Sequence, residues 1–125
     1  SAMVPGDHGT TYGGNPLVTA AASAVLSIFE ERGIVEHVNI VGGYLWEKLE
    51  ELASQFDCIT GHRGRGLMQG LEFQMPVGPI VQKALLEEKL VLISAGSNII
   101  RFVPPLIIER EHVDEMVRRL TAVLE

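Results

Sequence analysis

The segment Leu90–Val103 reads LVLISAGSNIIRFV, and this pattern predicts the sheet of the domain. Two apolar runs, 90–93 and 99–103, flank the short stretch 94–98, which contains a glycine. Such runs joined by a short loop with glycine are typical of two antiparallel strands in a hairpin. Residues 67–73 alternate with a period of two and predict one more strand. We therefore expect a short sheet of about three strands.

Helical patterns surround these strands. Asn15-Pro16 predicts the start of a first long helix, because Asn caps a helix and Pro fits its first turn. Gly33 predicts its end near Arg32. Apolar residues at three- and four-residue steps predict a second long helix from about Ile34 to Gln55. Gly42-Gly43 interrupts it, and a close helix crossing would explain why the two glycines are tolerated.

Two further helices are expected, near 80–88 and from about 109 to 124. The last one carries acids first and Arg118-Arg119 late, an order that suits the helix dipole. Residues 61–66 are expected to form a loop. Together these elements predict an α+β domain, in which two long helices precede a short sheet covered by helices on one face.

Composition excludes several classes of protein. The chain has 125 residues, the length of one ordinary domain, and 46% of them are hydrophobic, as in a globular protein. Its net charge of -6, with no basic stripe, disfavours nucleic acid or an anionic membrane as a partner. No apolar run approaches the roughly 20 residues of a membrane span. The single cysteine, Cys58, excludes an internal disulfide and indicates a reducing, cytoplasmic location.

The beginning of the sequence suggests a division into segments. Residues 1–3, Ser-Ala-Met, lack the basic end and apolar stretch of a signal peptide and are expected to be a cloning remnant. We expect residues 4–15 to be a loop that belongs to a larger domain, and 16–125 to be a C-terminal small domain with its leading helices. A loop with functional character comes first, before any strand or helix, which favours a piece cut from a longer parent.

The loop His8–Pro16, HGTTYGGNP, concentrates groups that bind anions. Thr10 and Thr11 offer hydroxyl donors, and Gly13-Gly14 allows backbone N–H groups to approach a ligand. A helix N-terminus that follows such a loop is a ready anion site. The alternative is a capped helix preceded by a flexible loop, and the residues alone leave both interpretations open.

The order of residues in this loop closely resembles a known signature. Residues 8–17 resemble the segment that follows the catalytic lysine in class III, fold-type I, pyridoxal-phosphate aminotransferases. Three further segments agree with the family in the same order: 63–70 with its Arg-Gly-x-Gly-Leu motif, 91–96 with its Gly-Val-Leu strand, and 99–106 with its Arg-Phe-x-Pro-Pro-Leu motif. Lys89-Leu90 stands where the family usually has Gly. The resemblance covers the chain from about Gly6 to Leu124.

The resemblance implies roles for three residues. Thr11 matches the threonine that bonds the cofactor phosphate of the neighbouring subunit, and Thr10 matches a residue that lines the neighbour's substrate pocket. Arg101 matches the arginine that pairs with the substrate α-carboxylate, a role that suits the two-pronged guanidinium. The alternative for Arg101 is a surface charge on an edge strand, but its otherwise apolar strand favours the ligand role. Family membership also implies a homodimer or larger assembly that acts on an amino acid and a 2-oxo acid.

The residues needed for the covalent step are not found in this chain. Lys48, Lys83 and Lys89 lie beside glutamates on predicted helices, and none has the Thr-x-Lys setting of the family. The resemblance places the Schiff-base lysine upstream of the threonine loop. We therefore assign no catalytic residue here, and expect the chain neither to bind pyridoxal phosphate covalently nor to turn over.

Other polar residues receive simpler interpretations. His37, His62 and His112 share no metal-ligand spacing with one another or with Cys58, so no metal site is expected. Arg63 and Arg65 are expected to order their loop or to contact another subunit. His8 is expected to bond the backbone of its own loop.

Within the family, the paired threonines and the stretch 94–101 are most similar to the acetylornithine branch. This branch implies transfer of an amino group from N-acetylornithine to 2-oxoglutarate in arginine synthesis. Ornithine, 4-aminobutyrate or succinylornithine remain alternative substrates, because residues outside this chain would select among them. A free-standing binding or oligomerisation module is the non-enzymatic alternative.

Overall fold

A computed structural model describes residues 6–7 and 9–125, so the expectations for residues 1–3 and His8 lie outside the described residues. The elements are α1 (Pro16–Glu31), α2 (Ile34–Gln55), β1 (Ile59–Arg65), β2 (Met68–Phe73), α3 (Gly78–Leu86), β3 (Ile93–Ser94), β4 (Ile99–Phe102) and α4 (Arg110–Leu124). The chain divides between Ile34 and Val35 into two compact units.

The first unit is dominated by α1, which begins as the Asn-Pro signal predicts. The Asn15 side chain accepts hydrogen bonds from the backbone N–H groups of Leu17 and Val18, at 3.0 and 3.1 Å. Gly33 follows the helix with a φ of 58°, a left-handed conformation that glycine adopts without strain. No residue of α1 is buried.

The second unit contains a four-stranded antiparallel sheet with the strand order β1-β2-β4-β3. On β2 the side chains alternate, so that Gln69, Leu71 and Phe73 are buried. Leu71 lies opposite Ile100 of β4, and Gln69 lies opposite Phe102. Because directly opposed residues share a face, these positions form one apolar face of the sheet.

Helices cover this apolar face and complete the core. Four leucine and valine side chains of α2 join the cluster, together with Ala84 of α3 and three residues of α4: Val41, Leu45, Leu49, Leu52, Val113, Leu120 and Val123. The opposite face of the sheet, here called the open face, carries exposed side chains such as Met68 and Arg101. The predicted α+β arrangement, with helices on one face of a short sheet, is confirmed.

The prediction of a loop at residues 61–66 is wrong. These residues form most of β1, which pairs with β2 from Ile59 to Arg65, so the sheet has four strands rather than about three. Glycine is depleted in strands and hides the alternating pattern, and three glycines fall at 61, 64 and 66. Gly66, with a φ of 55°, makes the tight turn into β2.

The other differences are small. β3 pairs only through Ile93 and Ser94, so it is shorter than the predicted strand 90–93. α3 ends at Leu86 rather than near residue 88. Among the described residues, no helix combines the length and the hydropathy that crossing a bilayer requires.

Candidate functional site

The two threonines of the first unit are exposed and differ in their hydrogen bonding. The Thr10 hydroxyl oxygen accepts from the Tyr12 N–H at 3.4 Å. The Thr11 hydroxyl makes no hydrogen bond to any other residue that the structure describes. Thr11 is therefore free to donate to an anionic ligand, which is the kind of group that the sequence predicts for it.

The first turn of α1 offers no free donor to such a ligand. Pro16 has no N–H, and the Asn15 carboxamide oxygen occupies the N–H groups of Leu17 and Val18. The Thr19 N–H donates to the Asn15 carbonyl at 3.1 Å. An anion at this loop would therefore rely on the hydroxyls and on the loop amides. The helix N-terminus, which the sequence pattern includes in the anion site, would not contribute.

The glycines of the loop are required by its geometry. Gly14 has a φ of 72°, in the left-handed region that favours glycine. A Cβ at Gly13 would overlap the methyl group of Thr10. A side chain at position 13 would therefore require the Thr10 side chain to move, and Thr10 and Thr11 both remain exposed.

Arg101 lies on β4, which is an interior strand between β2 and β3. The alternative of a charge on an edge strand is therefore wrong. Its backbone pairs with Gly70 on one side and with Ile93 on the other. The Arg101 side chain projects from the open face, and its guanidinium has no hydrogen bond or ion pair with any residue in the described part of the chain.

Two grooves meet at Arg101. One, of about 330 Å³, runs over the open face and is lined by Arg63, Gly70 and Met68 among others. The other, of about 370 Å³, is mainly apolar and lies between the β3–β4 hairpin and α4, with Leu90 and Met116 in its wall. A carboxylate bound by Arg101 could thus extend an aliphatic chain along an apolar wall.

All three lysine side chains donate hydrogen bonds to other residues of the chain. Lys48 forms an ion pair with Glu51 at 2.8 Å, and this hydrogen bond raises the pKa of Lys48. Lys83 donates to the Val123 carbonyl at 2.7 Å, and Lys89 donates to the Leu86 carbonyl at 2.6 Å. A nucleophilic lysine needs a lowered pKa, so the shift at Lys48 runs in the opposite direction.

Sequence reasoning missed a buried polar network beneath the open face. Gln69 is only 2% exposed, and its side-chain amide donates to the carbonyls of Gly42 and Gly66 at 2.8 and 2.6 Å. The His62 ring lies between Gln69, at 3.0 Å, and Glu50, at 2.6 Å. The signal was available, because the period of two in 67–73 places Gln69 among the core-facing leucines.

The predicted site residues fall in different units. Thr10 and Thr11 belong to the first unit and Arg101 to the second, so each part is described by itself. Arg63 and Arg65, expected in a loop, lie on β1 instead. In the described residues, no group of three or more His, Cys, Asp or Glu side chains could hold a metal ion.

Comparison with known proteins identifies similar sequences. A family model described as aminotransferase class-III matches residues 1–124. Acetylornithine aminotransferase from Clostridium acetobutylicum is 46% identical over 116 residues, which are 92% of this chain and 30% of that protein. The protein of the same name from Prochlorococcus marinus is 43% identical over 124 residues, 96% of this chain and 30% of that protein.

The fold of this chain is also similar to parts of solved aminotransferase structures. Acetylornithine aminotransferase from Elizabethkingia anophelis superposes with a TM-score of 0.81 at 32% identity, over 98% of this chain and 31% of that one. Lysine aminotransferase from M. tuberculosis gives a TM-score of 0.84 at 28% identity, over 97% of this chain and 28% of that one. The predicted fold class is confirmed, and the chain spans about 30% of the length of these relatives.

Proposed function

Since the chain belongs to the class-III aminotransferases, we propose that it forms the C-terminal small-domain part of a pyridoxal-phosphate-dependent aminotransferase. The complete protein would exchange an amino group between an amino acid and a 2-oxo acid. The observation that carries this proposal is Arg101, whose guanidinium has no partner among the described residues and is held on an interior strand beside an apolar groove. A planar guanidinium is the group best suited to bind a substrate carboxylate through two hydrogen bonds.

We further propose N-acetylornithine as the amino donor and 2-oxoglutarate as the acceptor. The names of the relatives with 37–46% identity support this choice, because they are acetylornithine aminotransferases. An ornithine aminotransferase is among the structural neighbours, at 30% identity, so ornithine is the second candidate. The reducing environment implied by the free thiol of Cys58 supports a cytoplasmic location.

The residues of this chain fit part of a cofactor site. Pyridoxal phosphate, when bound, would supply the electron sink needed to move the amino group. The free Thr11 hydroxyl would donate to the phosphate of a cofactor held in the neighbouring subunit of a homodimer. Thr10 would line the substrate pocket of that neighbour, and Arg101 would orient the substrate through its carboxylate.

The engaged lysines support the proposal that the chain alone is inactive. Lys48, Lys83 and Lys89 each donate to a carboxylate or a carbonyl within 2.8 Å, and none of them lines either groove at Arg101. To test this, the chain would be incubated with pyridoxal phosphate, reduced with borohydride and analysed by mass spectrometry. We expect no preferred lysine to be labelled. One specifically labelled lysine, together with transfer of an amino group, would contradict this part of the proposal.

The function itself is tested with the complete protein that contains this segment. It should show the absorbance of bound pyridoxal phosphate and convert N-acetylornithine and 2-oxoglutarate. The substitution Arg101→Gln should lower kcat/KM for both substrates about 10- to 100-fold, as expected when a charged hydrogen-bond pair is lost. Arg118→Gln, on the exposed surface of α4, is the matched control and should leave kcat/KM unchanged. Absence of the chromophore, or equal kinetics for the two variants, would refute the proposal.

A further inference from the structure

Building on the proposed function, we propose that Arg63 is a second carboxylate-binding residue. Together with Arg101 it would make the open face of the sheet bind a dicarboxylate in preference to a monocarboxylate. The sequence gives Arg63 no such role, because residues 61–66 do not look like a strand. The inference rests on the position that β1 gives to this side chain.

Arg63 and Arg101 belong to one row across the sheet. Arg63 of β1 is paired with Gly70 of β2, and Gly70 is paired with Arg101 of β4. Directly opposed residues in antiparallel strands project from the same face, so both arginines rise from the open face. Two strand spacings separate them, which is about 10 Å between their Cα atoms.

Between the two arginines the groove is lined by Gly70, which adds no side chain to it. A Cβ at this position would already come within 3.3 Å of the Ile99 Cγ2 atom, and a larger side chain would cover the floor of the groove. The two carboxyl carbons of an extended five-carbon dicarboxylate are about 5 Å apart, from standard bond lengths. Two flexible arginine side chains whose Cα atoms are about 10 Å apart can therefore each reach one end of such a ligand.

The arginines of the open face are not neutralised by carboxylates. Within the described residues, Arg63, Arg65 and Arg101 are exposed and have no ion pair, whereas Arg118 and Arg119 share Glu115 at 2.7–2.8 Å. Arg65 lies opposite Met68, at the end of the same groove and outside the row that joins Arg63 to Arg101.

An acidic residue lies farther along β2, outside the lining of the groove. Glu72 is two residues from Gly70 on β2 and is paired with Ile99. One of its carboxylate oxygens accepts a hydrogen bond from the Asn98 side chain at 3.4 Å. An anion is therefore expected between Arg63 and Arg101 rather than farther along β2.

The hairpin that carries Arg63 is held in place from the core side. The Gln69 amide ties it to α2 through the Gly42 carbonyl and to its own turn through the Gly66 carbonyl. His62, the residue before Arg63, is stacked on Trp46 with 3.9 Å between ring centroids. The backbone that carries Arg63 is thus fixed before a ligand arrives, which reduces the entropy lost on binding.

The test is a titration of the ¹⁵N-labelled chain with glutarate and with butyrate at constant ionic strength, followed by NMR. We expect shifts at the Gly70 amide and at the Nε groups of both arginines, and a glutarate affinity about two- to fivefold higher, as one added exposed ion pair would give. Arg63→Gln should abolish this preference without changing the butyrate affinity. Arg65→Gln and Arg118→Gln are the controls and should retain it.

Several outcomes would overturn the inference: equal affinities for the two ligands in the unaltered chain, binding of neither ligand, a preference that survives Arg63→Gln, or one that Arg65→Gln removes. The dispersion of the NMR spectrum reports in the same experiment whether each variant is folded. Because the titration needs neither cofactor nor turnover, its failure is distinguishable from failure of the proposed aminotransferase activity.

Discussion

At the residue scale, Gln69 links β2 to α2 and to His62 of β1 on the core side of the sheet. Its amide serves two backbone carbonyls, so its carboxamide oxygen must accept from the Nε2 atom of His62. We predict that Gln69→Leu lowers the free energy of unfolding by about 2–4 kcal/mol, because a buried imidazole and two carbonyls would lose a partner. Urea denaturation of the chain measures this change.

Gln82 provides the matched control, since it lies exposed on α3. Gln82→Leu should alter the free energy of unfolding by less than about 0.5 kcal/mol, as is usual for surface substitutions. Equal effects of the two substitutions would show that the buried network contributes little to stability.

Among the individual residues of the proposed site, some lie in recognisable sequence motifs and one does not. Thr10, Thr11 and Arg101 each lie within a short contiguous motif, so the sequence alone suggests their proposed roles. The sequence does not suggest the role proposed for Arg63, because the glycines around it disguise a strand and Arg101 is 38 positions away in the chain. Which residues face each other across a sheet depends on the register between two strands, and the sequence of one strand does not determine it.

At the scale of elements, α2 and the β1–β2 turn approach closely at one point. The glycine pair in α2 predicts a close helix crossing, but the close neighbour is the turn at Gly66. A Cβ at Gly42 would lie 2.6 Å from the Gly66 carbonyl carbon and oxygen, whereas a Cβ at Gly43 would meet nothing within 4 Å. Gly42 is therefore needed for the close contact with the turn, whereas Gly43 makes no such contact.

We predict that alanine has opposite effects at these two positions. Gly42→Ala should destabilise the chain by about 1–3 kcal/mol, because backbone must move to admit the methyl group. Gly43→Ala should stabilise it by about 0.5–1 kcal/mol through the higher helix propensity of alanine. Thermal and urea unfolding of both variants test this, and effects of the same sign would contradict the close contact at Gly42.

A second prediction at this scale concerns α4. Hydrogen bonds from Arg118 and then Arg119 lower the pKa of Glu115 to about 2, from an ordinary value of 4.5. A carboxyl with a lowered pKa contributes stability above its unfolded pKa and loses that contribution as the pH falls through about 2. An NMR titration should therefore find Glu115 charged at pH 3.5, and Arg118→Gln should raise its midpoint. An unchanged midpoint would contradict the pairing, and Arg110→Gln is the control.

Elements with a clear period were predicted well, and those set by tertiary contacts were not. α2 was found with the observed boundaries, because its apolar stripe faces the core throughout. β3 is shorter than its apolar run because only Ile93 and Ser94 reach β4. Lys89, which stands in the segment where the family usually has Gly, adopts a left-handed φ of 55°. That conformation gives a physical reason for glycine there, although it is not visible in the sequence of this chain.

At the scale of the whole molecule, the apolar surface of α1 governs how the chain should behave in solution. α1 has no buried residue, and Leu17 and Leu26 are 79% and 66% exposed. Exposed apolar side chains of this size favour association between copies, because association removes them from water. We therefore predict that the chain forms a dimer or larger assembly at micromolar concentration, measured by sedimentation equilibrium or light scattering.

Substitutions that introduce negative charge can show whether α1 forms the interface between copies. Leu17→Glu/Leu26→Glu should shift the equilibrium toward monomer, because the two positions lie on opposite sides of α1, so that an interface on either side would desolvate a carboxylate. Ser54→Glu/Gln82→Glu adds the same charge at exposed sites outside α1 and should leave the assembly intact. A monomeric unaltered chain would contradict the predicted assembly. If both double variants dissociate alike, net charge rather than the α1 surface sets the oligomeric state. Retained assembly with both leucines replaced would place the interface on another surface of the chain.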